Sequence, residues 1–218
     1  DPAIGVIMDG MVLGTVSGSM LQNFDTKQIE VLRGPQGTLF GKNTTGGVVN
    51  VIRGDVTMEW GVDASIALGT DGQEEVKAVV NVPVIDDVLG IKLMASSTQG
   101  DGYVRNITLN EDVGGDDLAS YGFAMLWRPT ENFDLKFHYE KFQDDTDVSV
   151  FANGNDPSHL ACQLEGALWA VGCQTTDTGS DEDNVTGARV GSAETETDMY
   201  ILTANWDLDS VLLTSITA

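Results

Sequence analysis

The sequence predicts an all-β chain, most of which forms antiparallel strands of a transmembrane β-barrel. The first observation is that apolar and polar residues alternate with a period of two, which gives a strand one apolar and one polar face. The second is that the alternating segments are about ten residues long, the length of a tilted strand that crosses a bilayer. The third is that short connections alternate with mostly long ones, as in outer-membrane barrels.

Composition excludes several other classes. The chain has 218 residues, with 34 acidic against 11 basic side chains and a formal net charge of −23, whereas a nucleic-acid-binding surface is basic. No apolar run approaches the roughly 18 residues of a spanning helix. A hydrophobic content of 41% is too high for a disordered acidic tail. The 25 glycines favour a chain of many strands and turns.

The first part of the chain, residues 1–57, is punctuated by glycine. Two short strands are predicted at 29–33 and 48–53, joined by a glycine-rich loop. From Trp60 onward the period-two alternation predicts strands at 60–69, 75–84, 89–97, 119–128, 133–142 and 198–208, and a seventh that begins near Val211. Tight turns are predicted near 85–88, 129–132 and 208–210.

Segment 133–142 shows the alternation most clearly. Its two faces carry Phe133, Leu135, Phe137 and Tyr139 on one side and Asp134, Lys136, His138 and Glu140 on the other. Periodicity alone leaves open a soluble antiparallel sandwich, which would bury the apolar faces in a core. Polar faces that mix small and charged residues suit a wet lumen instead, with His138 as a solvated lumen residue. A loop of about 50 residues is also unusual in a compact soluble domain.

The segment from Ile29 to Gly47 closely resembles the plug-domain signature of TonB-dependent outer-membrane receptors. The upstream segment 6–11 is similar to the preceding plug strand of that family, with Met8 in place of the commoner apolar residue. Segments 80–83 and 100–104 look like the second and third barrel strands. The resemblance implies a partial plug domain over 1–57, followed over 58–218 by the first six or so strands of a barrel, with long extracellular loops at about 99–117 and 144–196.

Eight residues carry the plug signature: Glu30, Arg33, Gly34, Pro35, Gly37, Gly41, Gly46 and Gly47. The glycines permit positive φ and close backbone approach, and Pro35 fixes one turn. Glu30 and Arg33 are expected to supply buried charges that face the barrel wall, where Asp63, Lys77 and Lys92 are the candidate partners. Buried charge pairs stabilise a fold poorly but can act as switches, which suits a plug that moves.

The resemblance implies active transport of a scarce nutrient across the bacterial outer membrane. The implied partners are outer-membrane lipid, the small-molecule nutrient and the TonB energy-transducing complex, which acts through an N-terminal segment that this sequence does not contain. The usual cargo is a ferric siderophore, and vitamin B12, haem and oligosaccharides are alternatives within the family. An iron chelate would be cargo, so no resident cofactor is expected. Acidic loops weakly favour neutral or cationic cargo over anionic ferric complexes.

Ligand contacts are expected at Thr15, Val16, Ser17 and Ser19, where the family places an apical plug loop. A plain polar turn is the alternative interpretation of this stretch. In the longest loop, Cys162 and Cys173 predict a local disulfide, because a cell-surface loop is in an oxidising environment. A metal site that combines these cysteines with His159 has no recognised spacing, and no metal site is predicted.

No catalytic motif is present, so the chain is not expected to be an enzyme. The glycine-rich loop fails the phosphate-binding pattern because Lys42 is followed by Asn43 rather than Ser or Thr. Two functions from other classes stay open: a non-transporting surface barrel or adhesin, and a soluble β-sandwich binding module. The chain opens at Asp1 without a methionine and ends inside a predicted strand, which is expected of a piece of a longer protein.

Overall fold

A computed structural model describes residues 3–13, 25–102, 104–106, 110–146, 184–185 and 194–218. The described residues form two main sheets and one small three-stranded sheet. The elements are β1 Ile4–Met8, β2 Met11–Leu13, β3 Thr26–Arg33, α1 Gly37–Phe40, β4 Gly47–Arg53, β5 Gly61–Leu68, β6 Glu74–Ile85, β7 Leu89–Gln99, β8 Val104–Asn106, β9 Glu111–Val113, β10 Asp117–Thr130, β11 Phe133–Asp144, β12 Asn184–Val185, β13 Thr195–Asp207 and β14 Leu212–Thr217.

The first four strands form a small sheet with the order β2-β1-β4-β3. Strands β1 and β2 are joined by the two-residue turn Asp9-Gly10, in which both residues have positive φ, as a tight hairpin requires. Strand β1 runs parallel to β4, whereas β3 runs antiparallel to it. The strands predicted at 29–33 and 48–53 are confirmed in β3 and β4. The single turn of helix α1 between them is not predicted by the sequence pattern.

One glycine of the signature is required by its surroundings. Gly47 begins β4 with φ of 149°, and a Cβ added there would lie 2.5 Å from the carbonyl oxygen of Leu32. Gly34 also has positive φ, at 84°, but nothing lies within 4 Å of its added Cβ. A side chain at Gly47 therefore meets both backbone strain and a clash, whereas at Gly34 it meets strain alone.

The other main sheet, the large sheet, is an antiparallel meander of seven strands with the order β14-β13-β11-β10-β7-β6-β5. All six predicted strands from Trp60 onward are confirmed, and β14 is the seventh. Strands β6–β7, β10–β11 and β13–β14 are joined by short turns at one end of the sheet, called here the short-turn end. The opposite end is the long-loop end. Among the described residues, no helix is long and apolar enough to span a membrane.

The segments predicted as long loops contain the third sheet, whose strand order is β12-β8-β9. Strands β8 and β9 are antiparallel and lie within 99–117, and β12 pairs in parallel with β8 from within 144–196. These strands are two or three residues long, too short for an alternating pattern to stand out in sequence. The two predicted loops are therefore joined by strand pairing.

The large sheet exposes its apolar face. Ile66 and Leu68 are 73% and 75% exposed, and Phe123, Tyr139 and Tyr200 form a row of contacting rings on the same side. The centroids of Tyr139 and Tyr200 lie 4.9 Å apart. A soluble sandwich would bury such a face, whereas a membrane barrel presents it to lipid with aromatic residues near its borders. The exposed apolar face therefore agrees with the barrel prediction.

The opposite face of the large sheet packs against the small sheet. A buried cluster joins Met8 of β1 to Phe142, Met199 and Ile201 of the large sheet. Met11, Leu13 and Leu118 pack around it. The core of the described residues thus includes the contact between the two sheets, and the inner faces of β10, β11 and β13 form the surface on which the hairpin β1–β2 rests.

Candidate functional site: the interface between the two sheets

Strand register arranges the inner face of the large sheet in rows that run across the strands. One row contains Lys92, Ala124, His138 and Ile201, which are successive partners on β7, β10, β11 and β13. The next row toward the long-loop end contains Met94, Gly122, Glu140 and Met199. Because inward residues alternate with outward ones, a lysine, a histidine and a glutamate from separate strand positions face the small sheet together.

Arg53, the last residue of β4, reaches from the small sheet into the second row. Its Nη1 atom lies 2.8 Å from Oε2 of Glu140, and only 7% and 11% of the two side chains is exposed. Its Nε atom lies 3.4 Å from Oδ2 of Asp9, whose Oδ1 accepts a 3.0 Å hydrogen bond from the Arg53 backbone N–H. Nη2 contacts the sulfur atoms of Met8 and Met199. The guanidinium therefore ties the β1–β2 turn and β4 to the large sheet.

The Glu140 carboxylate is contacted by two other side chains of the large sheet, Ser120 of β10 and His138 of β11. Ser120 Oγ donates a 2.7 Å hydrogen bond to its Oε1 atom, and Nε2 of His138 lies 3.4 Å from its Oε2 atom. Ser120 is almost fully buried, and His138 and Glu140 are each 9% exposed. The expectation of a solvated lumen histidine is therefore wrong, because the small sheet covers the face on which His138 lies.

A second contact is made by Lys92, which is 1% exposed. Its Nζ atom donates hydrogen bonds to the carboxylate of Asp25 and to the carbonyl oxygen of Gly54. The Gly54 N–H in turn donates to the Asp25 carbonyl at 2.8 Å. Asp25 directly precedes β3 and Gly54 directly follows β4, so one wall lysine contacts both segments at the end of the strand pair where β3 begins and β4 ends.

Burial acts against the charged forms of Arg53 and Asp25, two groups that contact the wall from the small sheet. It lowers the pKa of the Arg53 guanidinium, and Glu140, Asp9 and Asp25 act in the opposite direction. Burial likewise raises the pKa of the Asp25 carboxyl, although the hydrogen bond and charge of Lys92 oppose this shift. Each charged group is thus disfavoured by desolvation and favoured by its partner. Separation of the sheets would relieve the desolvation of each group and remove its partner at the same time.

A third, exposed link lies beside the other two. Asp55 accepts from Lys27 of β3 at 2.5 Å and lies 3.7 Å from Lys136 of β11. The hydrogen bond from Lys27 lowers the pKa of the Asp55 carboxyl. More than half of the Lys27 and Asp55 side chains is exposed, so solvent screening leaves this pair with little energy.

The buried polar residues of the first two contacts are together called the interface charge cluster below. They are Asp9, Asp25, Arg53, Lys92, Ser120, His138 and Glu140.

The structure differs from the expected partners of the signature charges. Glu30 accepts hydrogen bonds from Gln28 and from Asn50 at 3.0 Å, both within the small sheet, and Arg33 is exposed. Among the proposed wall partners, Lys77 pairs with Glu75 on its own strand and Asp63 is exposed. Lys92 does contact the small sheet, but through Asp25. The switch role of Glu30 and Arg33 stays a prediction.

Two sets of predicted residues lie outside the described residues. These are the expected ligand contacts Thr15, Val16, Ser17 and Ser19 and the cysteines Cys162 and Cys173. The other signature residues, Gly34, Pro35, Gly37, Gly41, Gly46 and Gly47, line the loop from β3 to β4. In that loop the Gly34 N–H donates to the Gly46 carbonyl at 3.1 Å, and the Gln36 N–H donates to the Thr44 carbonyl at 2.9 Å. These residues shape the small sheet, and none belongs to the interface charge cluster.

Sequence reasoning missed Arg53, Asp25 and Asp9 as interface residues. For Arg53 a signal was available, because it lies two residues after the buried Val51 and therefore on the same strand face. The turn position of Asp9 and the strand-boundary position of Asp25 give no such signal. In the described part of the chain, no group of three or more His, Cys, Asp and Glu side chains is placed to hold a metal ion.

The fold and the interface define a class: an outer-membrane barrel wall whose lumen face is covered by a small plug-like sheet. A family model for the TonB-dependent receptor plug domain matches residues 1–48. Over this segment the chain resembles the TonB-dependent outer-membrane receptors.

Similar proteins include two curated receptors. The pesticin receptor of Yersinia pestis is 29% identical over 133 residues, which are 58% of this chain and 19% of that protein. The catecholate siderophore receptor Fiu of Escherichia coli K12 is 28% identical over 134 residues, covering 61% of this chain and 17% of the receptor. The chain thus spans about a fifth of the length of these relatives.

Solved structures share the fold. The ferric yersiniabactin uptake receptor FyuA from Yersinia pestis superposes with a TM-score of 0.73 and 19% identity, over 95% of this chain and 30% of that one. FpvA of P. aeruginosa, solved with bound pyoverdines, superposes with the same TM-score at 16% identity. The match covers 94% of this chain and 26% of the FpvA chain. The two-sheet arrangement is therefore that of known siderophore receptors.

Proposed function

We propose that the receptor to which this chain belongs takes up a scarce nutrient, most simply a ferric siderophore, across the bacterial outer membrane in a TonB-dependent step. The similar proteins named for catecholate siderophores and ferric yersiniabactin support this cargo class. The observation that carries the proposal is the interface charge cluster, since it holds the small sheet on the wall through a few buried polar contacts.

Such contacts are suited to a plug that is displaced and returns. Two ions buried together are costly to desolvate, so a buried pair adds little net stability over apolar packing. Such pairs still fix the position of the small sheet, because Arg53 meets Glu140 and Lys92 meets Asp25 only when the two sheets are aligned in one way. A pull on the small sheet therefore has to break a few specific contacts and a modest apolar cluster rather than a continuous core.

The domain assignment follows the same proposal: residues 1–57 belong to the plug and residues 58–218 to the barrel. The two sheets, which span 4–53 and 61–217, support this division. The outward apolar face of the large sheet would contact outer-membrane lipid. The long segments 99–117 and 144–196 would form the outer binding surface, with a disulfide between Cys162 and Cys173. Thr15, Val16, Ser17 and Ser19 would contact cargo from the plug.

The proposal is tested with the complete receptor expressed in a strain that lacks its own siderophore receptors. Uptake of ⁵⁵Fe is measured from three probes, which are ferric yersiniabactin, a ferric pyoverdine and a ferric catecholate, in cells with and without TonB. We expect accumulation from at least one probe that depends on TonB. Cyanocobalamin and haemin serve as probes for the alternative cargoes.

Two results would contradict the proposal. Uptake of an iron chelate that is equal with and without TonB would show a passive barrel. Surface binding without uptake of any probe in energised cells would favour the non-transporting barrel or adhesin. Transport of cyanocobalamin or haemin alone would keep the TonB-dependent mechanism and replace the cargo.

A further inference from the structure

A cavity of about 250 Å³ lies between the end of the small sheet and the inner face of the large sheet. On one side it is lined by Arg53 and by Val56 of the connecting segment 54–60, called the linker here. On the other side it is lined by Ala124, His138 and Thr203. Because Ala124 is the small residue of its row, it leaves the space that a larger side chain on β10 would fill.

Asp9, Arg53 and His138 of the interface charge cluster line this cavity, and Glu140 and Ser120 lie on its long-loop side. Strand register places Ala124 and His138 in one row and Lys136 and Thr203 in the next row toward the short-turn end. Glu140 lies in the adjacent row on the opposite side. The ion pair between Arg53 and Glu140 therefore separates the cavity from the long-loop end of the wall.

The linker is attached to different strands from those that carry the hairpin β1–β2. The carbonyl of Gly54 accepts from Lys92, and the side chain of Asn81 accepts from the Thr57 N–H at 3.2 Å. Gly90 packs beneath the linker so closely that an added Cβ would lie 2.8 Å from the Thr57 carbonyl oxygen. These three contacts are made by β6 and β7, whereas the hairpin rests on β10, β11 and β13. One further link of the linker, the exposed pair of Asp55 with Lys136 at 3.7 Å, is to β11.

The lining is chemically mixed. Its polar groups are the guanidinium of Arg53, the ammonium of Lys136, the imidazole of His138, the hydroxyl of Thr203 and the carboxylates of Asp9 and Asp55, and its apolar residues include Ile52, Val56, Ile201 and Ile216. Sites that combine apolar walls with a few convergent polar groups are typical of small-molecule binding. An iron chelate with an organic body and oxygen atoms at its edge matches such a lining.

We propose that this cavity is the passage point of the transported chelate. When the Arg53–Glu140 ion pair and the exposed Asp55–Lys136 pair separate, the cavity opens toward the long-loop end along β10, β11 and β13, while the linker stays on β6 and β7 through Lys92, Asn81 and Gly90. Ala124 lines the passage on β10. The inference rests on the proposed function, since it names the route that the same transport step follows.

The first test fills the cavity. Ala124→Trp places an indole in the space, and Ala95→Trp, on the exposed outward face of β7, is the matched control. With the ⁵⁵Fe chelate that the unsubstituted receptor takes up, we expect energised uptake to fall about tenfold or more for Ala124→Trp because the passage is overpacked. Binding to cells at low temperature should stay at the unsubstituted level. The control should retain full uptake.

The second test fixes either contact region with the same reagent. Met8→Cys with Met199→Cys joins the hairpin to β13, and Thr57→Cys with Asn81→Cys joins the linker to β6. Both pairs are treated with a short bis-thiosulfonate cross-linker, which dithiothreitol removes. We expect the first cross-link to stop uptake reversibly and the second to permit it. The unsubstituted receptor, treated in the same way, reports any effect at Cys162 and Cys173.

The outcomes separate this inference from the proposed function. If the unsubstituted receptor shows no TonB-dependent uptake, the proposed function fails. If it transports normally and either Ala124→Trp retains full uptake or the linker cross-link abolishes it, the passage lies elsewhere. Outer-membrane levels of each variant are measured by immunoblot, and the cross-linking pair decides the matter if Ala124→Trp does not reach the membrane.

Discussion

Replacement of Glu140 by glutamine tests whether the ion pair with Arg53 holds the small sheet in place. The substitution preserves shape but leaves a buried guanidinium without its nearer carboxylate, which lies at 2.8 Å. Loss of one partner of a buried pair typically costs roughly 3–5 kcal/mol. Asp9 remains at 3.4 Å from Arg53, so we expect a smaller loss, about 2 kcal/mol, in the free energy that holds the sheets together.

The assay is hydrogen exchange of the β4 backbone amides in the complete receptor in detergent micelles. A loss of about 2 kcal/mol in the opening free energy corresponds to roughly 30-fold faster exchange. The control is Glu196→Gln, which removes an outward pair with Lys141 whose glutamate is 47% exposed. Exposed pairs contribute about 0–1 kcal/mol, and this one lies on the opposite face, so β4 exchange should not change.

A double-mutant cycle identifies the partner. Arg53→Met should lose most of the same free energy, and adding Glu140→Gln to it should cost little more, because the pair has already been removed. Equal β4 exchange rates in Glu140→Gln and Glu196→Gln would refute the reasoning. So would additive losses in the cycle, since additivity means that the two side chains stabilise the interface independently.

Three further predictions concern other contacts of the small sheet. Lys92→Met should lower the opening free energy of the linker amides by about 3 kcal/mol, because it strands the Asp25 carboxylate; hydrogen exchange measures this, and a loss no larger than that of the half-buried Lys77→Met would contradict it. The folded-state pKa of Asp55 is lowered, so its stabilising link to Lys27 should be present above pH ~4 and be lost as pH falls through the folded value; Asp55→Asn should remove this dependence of linker exchange, and a dependence that persists in the variant points to another group. Gly47→Ala should lower the melting temperature of the complete receptor well beyond Gly34→Ala, since only Gly47 meets a clash; equal effects would mean that strain alone matters.

The wall strands follow from sequence because a barrel strand has a visible period of two. Segment 133–142 alternates strictly from Phe133 to Glu140, and it is found within β11 with the expected faces. Lys92 was correctly expected to face the small sheet for the same reason. Strands such as β12 could not be found, since two residues carry no period and their pairing depends on a partner 79 positions away, as in Asn184 with Arg105.

The contacts between the two sheets were predictable only in part. Strand alternation shows which residues share a face, but it does not say which face of the small sheet meets the wall. Glu30 and Arg33 belong to β3, at the edge of the small sheet away from the β1–β2 hairpin, whereas β1, β2 and the end of β4 approach the wall. The partners of Arg53 were therefore set by docking of one sheet on another, and local sequence carries little information about docking.

The parallel pairing of β1 with β4 has a mechanical consequence. Five residue pairs join these strands, from Ile4 with Gly47 to Met8 with Val51. A force applied at the start of β1 and resisted at the end of β4, where the linker is fastened, acts along both strands from opposite ends. All five pairs then bear load together instead of opening one at a time. The small sheet should therefore stay intact and transmit the tension to Arg53. The contacts between the small sheet and the large sheet should break before the pairing of β1 with β4 does.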